Sequence, residues 1–278
     1  MSSQFEFMGS TAIGQYLPRK SWFHQRDPRA RLLVFLFVFA ALIFTPDFLG
    51  LAAGFGVVVL IYIVAKLPVK NTWDGIKRAL PFILILAILQ IVFSNPGEAD
   101  PGLFTILNFP IMESAVISAT LLIFRFIALI SHLNAVVMSL STSQITAAQF
   151  HLLKPLENLG FPVNDLSMVV QITLRYLPLV AQIAEKTAKA QASRGGDWEQ
   201  KGFNPIRQAK RVIPLIVPII VTSLKRAETM ALAMESRGFN AAQERSSFYD
   251  LKFTLMDGFL LVGSLLVSAL ILAASWWA

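Results

Sequence analysis

The chain has 278 residues, 55% hydrophobic and only 15% charged, where a soluble domain carries about 25% charged residues. Its 24 Lys and Arg outnumber 17 Asp and Glu for a net charge of +7, and its mean hydropathy is +0.61. The absence of cysteine excludes disulfides, thiolate metal ligands and cysteine nucleophiles. Three scattered histidines, His24, His132 and His151, give no reason to expect a metal site.

In chain order, Met1–Pro18 is mildly polar and poor in basic residues, unlike a secretory signal. The first apolar run, 32–44, is separated from the second, 48–65, only by Thr45, Pro46 and Asp47. One helix over 32–65 would be about 50 Å long, against a hydrocarbon core of about 30 Å. A hairpin turning at Pro46 and Asp47 is therefore expected. A third run covers 79–94. A fourth covers 111–140 and is interrupted by Arg125, His132 and Asn134; the last covers 255–277.

The charges order these runs. Basic residues crowd 18–31 and 66–78, fourteen more lie in 141–254, and 95–110 has none. Cytoplasmic loops carry an excess of Lys and Arg. The expected fold class is thus an all-α integral membrane protein of about five transmembrane helices, N-terminus cytoplasmic and C-terminus outside. Residues 1–140 hold the N-terminal region and four spans, 141–254 form a cytoplasmic region with long helices, and 255–278 form the final span.

Within that insertion, 141–160 reads as a short amphipathic helix that Ser143 can cap and that Gly160 can end. Two long helices are expected at 165–194 and 205–237, the second with Pro205 in its first turn and Gly238 at its stop. Their ends repeat. Residues 184–195 are AEKTAKAQASRG and 227–238 are AETMALAMESRG, identical at seven of twelve positions. Ala184 and Ala188, like Ala227 and Ala231, present small residues four apart, which lets helices cross closely. Arg194 and Arg237 occupy the last turns, where a cation complements the helix dipole. The glycine behind each leaves a guanidinium at a tip, suited to bidentate pairing with a carboxylate. The apolar upper halves of both helices contain prolines: Pro178 in one, Pro214 and Pro218 in the other. Thirteen uncharged residues at 212–224 are too few for a span.

These paired tips resemble the transmembrane coupling (T) component of energy-coupling factor (ECF) transporters. So do HQRDPRARLL at 24–33, LLKPLENLGFPVNDLSMVVQITLRYLP at 152–178 and LKRAETMALAMESRGFN at 224–240. The resemblance runs from about residue 22 to the end. The family usually reads Ala-Arg-Gly; both copies here read Ser-Arg-Gly, and serine is also small. The resemblance implies a scaffold without chemistry of its own. It would join two cytoplasmic ABC ATPases to a small membrane subunit that captures a vitamin or transition-metal ion. By analogy Ser193, Arg194, Gly195 and Ser236, Arg237, Gly238 would dock on the ATPases, and Ala184, Ala188, Ala227 and Ala231 would set a crossing of the coupling helices. No cofactor and no nucleic-acid partner are implied for this chain; the surroundings are the lipid bilayer of a prokaryotic cell membrane.

Other features fit around this. No G-x-x-x-x-G-K-[ST] phosphate loop occurs, and no convergent acids or histidines suggest a membrane-embedded enzyme. The rival within transport is a conventional ABC permease with its own substrate path. Arg125 sits inside the fourth run, where a cation is costly. The expected role is to bind helix-end carbonyls, with a grip on the substrate-capture subunit as the alternative. His132, seven residues on, is expected to be a packed polar residue. Gly50 and Gly54 form a weak helix-contact motif. Trp276 and Trp277 are expected at the outer interface, and 24–31 is expected to anchor topology and touch anionic headgroups.

Overall fold

In the computed structural model, which describes residues 21–93, 102–106, 109–194, 205–239 and 253–277, the first helix begins where Asp27 accepts a hydrogen bond from the Arg29 amide at 2.8 Å. Pro28 takes the first helical position, where its missing N–H costs nothing. This helix, α1 (Pro28–Phe44), ends at Thr45, and α2 (Phe48–Ala65) starts after Pro46, so the hairpin is formed. Lys66 ends α2 in the left-handed conformation (φ 53°).

Helix α3 (Val69–Val92) starts ten residues before the apolar run does. The basic 66–78 stretch, expected to be a loop, is mostly its first turns. Lys and Arg are good helix formers, so hydropathy marks where a helix meets lipid rather than where it begins. Next comes an antiparallel hairpin that the apolar runs do not reveal, β1 (Gly102–Ile106) and β2 (Phe109–Met112), with Phe104 opposite Ile111 and Ile106 opposite Phe109. Strands of five and four residues are too short to show a period. Helix α4 (Glu113–Ser139) covers the fourth run. Helix α5 (Thr142–Leu153) is capped by Ser141 rather than Ser143: the Ser141 hydroxyl accepts from the Gln144 amide, and the Gln144 side chain accepts from the Ser141 amide. Choosing Ser141 completes this reciprocal box with Gln144 three residues on.

A 3-10 turn over Lys154–Leu159 follows, and Gly160 (φ 86°) ends it. The two long helices are α6 (Val163–Ser193) and α7 (Pro205–Ser236), and α8 (Leu255–Trp277) closes the chain. Pro205 does open α7. The side chains of Trp276 and Trp277 lie outside the described residues.

The chain divides into two compact units, one built from 14–155 with 251–278, the other containing 156–250. In the first, α1 packs on α8, α5, α4 and α2, and α3 packs on α4. Its core includes Phe35, Val38, Leu42, Leu51, Val58, Ala128, Ala135 and Met138. Helix α5 falls in the 141–254 region by sequence but packs on α1. In the second unit, α6 packs on α7.

Five helices, α2, α3, α4, α6 and α8, are long and apolar enough to cross a membrane. The molecule is thus a helical, multi-pass membrane protein. The five differ from the expected set in one member: α1, at 17 residues, is short, while α6 qualifies by length and composition.

Polar contacts bolt α1 to α4. Arg125, His132 and Ser139 stand seven residues apart and therefore share one face of α4. Arg125 Nη2 donates to the Thr45 carbonyl at 2.6 Å, His132 Nε2 lies 2.9 Å from the Phe35 carbonyl, and the Ser139 carbonyl accepts from Arg31 Nη1 at 3.0 Å. The ladder runs antiparallel along α1. Arg125 thus binds the free carbonyl at the end of α1. His132 is buried, edge-on to Phe35 and stacked on Phe39, a packed polar residue.

The 24–31 segment departs from expectation. Arg31 is 1% exposed, and its Nη2 also reaches Gln144 Oε1 at 3.5 Å. Buried Asp27 donates its amide to Asp257 Oδ1 at 3.4 Å. These two charges hold helices together inside the chain. An apolar run on one side and a cap on the other make a buried arginine look like a flanking charge in sequence. The Gly50 and Gly54 motif is used within the chain: a Cβ on Gly50 would stand 2.5 Å from Thr45 Cγ2, and one on Gly54 2.8 Å from Leu42 Cδ2.

Candidate functional site: two arginine tips

The two long helices stop at equivalent positions of the repeat, α6 at Ser193 and α7 at Ser236. At the end of α7, the Gly238 amide donates to the Glu235 carbonyl at 2.9 Å and the Phe239 amide to the Met234 carbonyl at 3.1 Å. With Gly238 at φ 72°, this is the Schellman stop, which favours glycine because a Cβ is strained there. The same pair of bonds closes the turn at Gly160, from Gly160 to Glu157 and Phe161 to Leu156. At the end of α6, the Arg194 amide donates to the Gln191 carbonyl at 3.2 Å. Gly195 lies outside the described residues.

The serines turn their hydroxyls inward. Ser193 Oγ donates to the Lys189 carbonyl at 3.1 Å and Ser236 Oγ to the Ala233 carbonyl at 3.0 Å. Each serine satisfies its own polar group locally, so the change from alanine leaves the tip unchanged in shape. Arg194 and Arg237 are exposed, and among the described residues neither guanidinium has a hydrogen-bond or ion-pair partner. Each tip therefore offers a charged, planar, five-donor fork to an external acceptor, and a carboxylate or phosphate fits that fork best. Its charge is fixed across the physiological pH range.

The small-residue faces are not equivalent. Ala188 is fully buried and Ala184 half-buried, whereas Ala227 and Ala231 are exposed. Of the four alanines expected at a crossing, only Ala188 is buried within this chain. A 43-residue repeat copies helix ends faithfully, but two helices that pack on each other do not have to present the same face.

Much of both helices is uncovered. Leu166, Val169, Leu177 and Val180 on α6, and Ile213, Ile216, Val217, Ile220, Val221 and Leu224 on α7, are exposed. Among the described residues of this unit the buried apolar side chains are Val163, Ile183, Ala188 and Leu215. Such long apolar stretches with so little intramolecular cover exceed what an isolated soluble unit tolerates. The tips were legible in the sequence through their repetition. The inward serine bonds were not, since a serine near a helix end caps, back-bonds or faces water equally well.

Among the described residues, no group of three or more His, Asp or Glu side chains comes together in a way that could hold a metal ion. His151, on α5, has its imidazole held below the ordinary range by burial first and then by the cations Arg29 and Lys154, with Asp27 opposing.

The chain is similar to known transporter proteins over most of its length. The family model of the cobalt transport protein CbiQ matches residues 19–248. The energy-coupling factor transporter transmembrane protein EcfT of Leuconostoc gelidum subsp. gasicomitatum is 32% identical over 250 residues, covering 90% of this chain and 91% of that protein. The EcfT of Brevibacillus brevis is 33% identical over 271 residues, covering 96% and 97%. The EcfT of Bacillus subtilis is 29% identical over 266 residues, covering 95% and 98%.

Proposed function

We propose a coupling role for this chain, which belongs to the CbiQ and EcfT family of transporter transmembrane proteins. In this reading the protein is a non-enzymatic scaffold. Two cytoplasmic ABC ATPases dock on the tips of α6 and α7, and a small membrane subunit captures a vitamin or transition-metal ion. Closure of the ATPase pair on ATP displaces the two tips, and the long helices carry that displacement to the capture subunit, which reorients and releases its cargo. Ser193, Arg194 and Gly195 would form one docking element, and Ser236, Arg237 and Gly238 the other.

The observation that carries the reading is the pair of matched, exposed arginines with no hydrogen-bond or ion-pair partner among the described residues. Two different tips on one chain suit two ATPase subunits, whereas a conventional permease of the ABC type would supply one docking loop per copy and pair with a second copy. The exposed apolar faces of α6 and α7 suit a membrane partner lying against them. Of the two helices only α6 meets the length and apolarity of a span. Its matched end and its Glu185, Lys186 and Lys189 argue that both act as coupling helices on the cytoplasmic side.

The proposed orientation follows from the charges: N-terminus cytoplasmic, C-terminus outside, in a prokaryotic cell membrane, with α1, α2, α3, α4 and α8 as the spans. Absence of cysteine makes this directly testable. A cysteine placed at Ser247 reacts only from the cytoplasm and one at Glu98 only from outside; labelling of Ser247→Cys in intact cells by an impermeant reagent reverses the orientation. The function itself is tested by affinity purification from native membranes. The expected result is co-purification of two ATPases and one small membrane protein. Recovery of a homodimer that binds substrate by itself would favour the permease.

A further inference from the structure

The cations flanking the membrane helices have different structural fates. Arg31 is buried on Ser139, and Arg26 lies over the Trp22 ring at 4.4 Å. The basic start of α3 is different. Lys70, Trp73, Lys77, Leu84 and Ile88 follow at steps of three, four, seven and four, so they share one face of the helix. All five are exposed, Trp73 by 54%, Leu84 by 45% and Ile88 by 59%. The residues of α3 that are buried are Thr72, Ile76, Ile83 and Ala87, which point elsewhere on the helix.

The chemistry of this face changes along its length. The Lys77 ammonium stands over the Trp73 ring, 5.6 Å from its centroid, an arrangement that holds a cation in place. Lys70 and Lys77 form no ion pair with any described residue. Asp74 stands between them and does not pair with either; it accepts from Arg78 Nε through its backbone carbonyl at 3.1 Å. One turn beyond Lys77 the face becomes wholly apolar. Two cations with a tryptophan between them, Lys77 standing over its ring, followed by an aliphatic track match the polarity of a phospholipid, from headgroup phosphate to acyl chain.

We propose that this face of α3 is a binding site for an anionic phospholipid. Lys70 and Lys77 hold the headgroup phosphate from either side of Trp73, whose ring sits at the membrane interface, and Leu84 and Ile88 line the acyl chain. The site needs only that the protein is embedded in a bilayer, so it is independent of the coupling role. In the proposed orientation the lipid belongs to the cytoplasmic leaflet. The second tryptophan–cation pair, Trp22 and Arg26, precedes α1, which also enters from that side, and Trp22 is 47% exposed.

Native mass spectrometry of the full-length chain in detergent, with phosphatidylglycerol or phosphatidylcholine added, reads this directly. Phosphatidylglycerol adducts are expected to outlast phosphatidylcholine adducts. Each cation near an anionic headgroup contributes about fivefold, so Lys70→Gln with Lys77→Gln should reduce the preference about thirtyfold. Trp73→Ala should weaken binding of both lipids. Lys186→Gln with Lys225→Gln removes the same charge from α6 and α7 and should leave the preference intact; helical content by circular dichroism checks that all variants fold. An unchanged preference in the α3 double variant overturns the site, as does an equal loss in the α6 and α7 variant. Retained lipid preference together with loss of a co-purifying membrane protein would assign the face to a protein partner instead.

Discussion

The α1–α4 seam of the membrane body and the tips of the α6–α7 pair handle charge in opposite ways. At the seam, Arg31 and Arg125 turn inward and each seize a carbonyl at a helix end, and His132 binds the Phe35 carbonyl between them. In the helix pair, Arg194 and Arg237 turn outward and bind nothing among the described residues. The apolar side chains differ in the same sense. The body encloses a cluster drawn from α1, α2 and α4, whereas the long helices leave most of theirs uncovered. The seam is finished within the chain, and the tips are shaped for what lies outside it. An arginine's role therefore depends less on how near it is to an apolar run than on whether a free carbonyl lies within its reach.

The contrast breaks most visibly at the arginines. Arg31→Met removes hydrogen bonds from a buried cation and leaves the Ser139 carbonyl unpaired, a loss of about 3 kcal/mol. Arg194→Met exchanges an exposed tip and should change stability by no more than about 0.5 kcal/mol. Thermal unfolding in detergent measures both, and equal shifts would dissolve the distinction between the two regions.

Glycine positions sharpen it at a smaller scale. Gly50→Ala pushes a methyl group against Thr45, which is itself fixed by its hydroxyl bond to the Ala41 carbonyl. Overpacking of this kind costs about 1–3 kcal/mol. Gly56 has open space around its missing side chain, so Gly56→Ala should stabilise α2 by about 0.5–1 kcal/mol. Opposite signs in the two melting shifts are the expected outcome.

Within the helix pair, Ala188→Leu should cost about 1–3 kcal/mol because Ala188 is fully buried. Ala231→Leu, on an exposed surface, should stay within about 0.5 kcal/mol in the isolated chain. If Ala231→Leu nevertheless abolishes transport in the assembled complex, the α7 alanines face a partner, and their small size serves an interface outside the chain.

The sequence made the outline legible and hid the joints. Proline and aspartate between two apolar runs marked the α1–α2 hairpin, because the alternative was too long for a bilayer. A repeat marked the tips and glycine the stop at 238. Three things were hidden. The start of α3 was disguised by basic residues that are helical yet polar. The β1–β2 hairpin was too short to carry a period. The ladder between α1 and α4 depends on backbone carbonyls, which have no letter in a sequence. Only Arg125 and His132, seven apart in an apolar run, hinted at a shared polar face, and the third rung, Ser139, contributes its carbonyl rather than its side chain.

The central claim is that the outward arginines are the docking elements for the ATPases. Truncating one partner of a desolvated charge pair costs about 2–5 kcal/mol, roughly 30- to several-thousand-fold in affinity. The most direct measurement is pull-down of both ATPases by the Arg194→Ala, Arg237→Ala double variant, alongside ATP-driven substrate uptake. The account predicts that the variant inserts in the membrane and keeps the capture subunit but loses the ATPases and uptake, with lysine at both positions rescuing poorly because it lacks the planar fork. Undiminished recovery of both ATPases with the double alanine variant would contradict it.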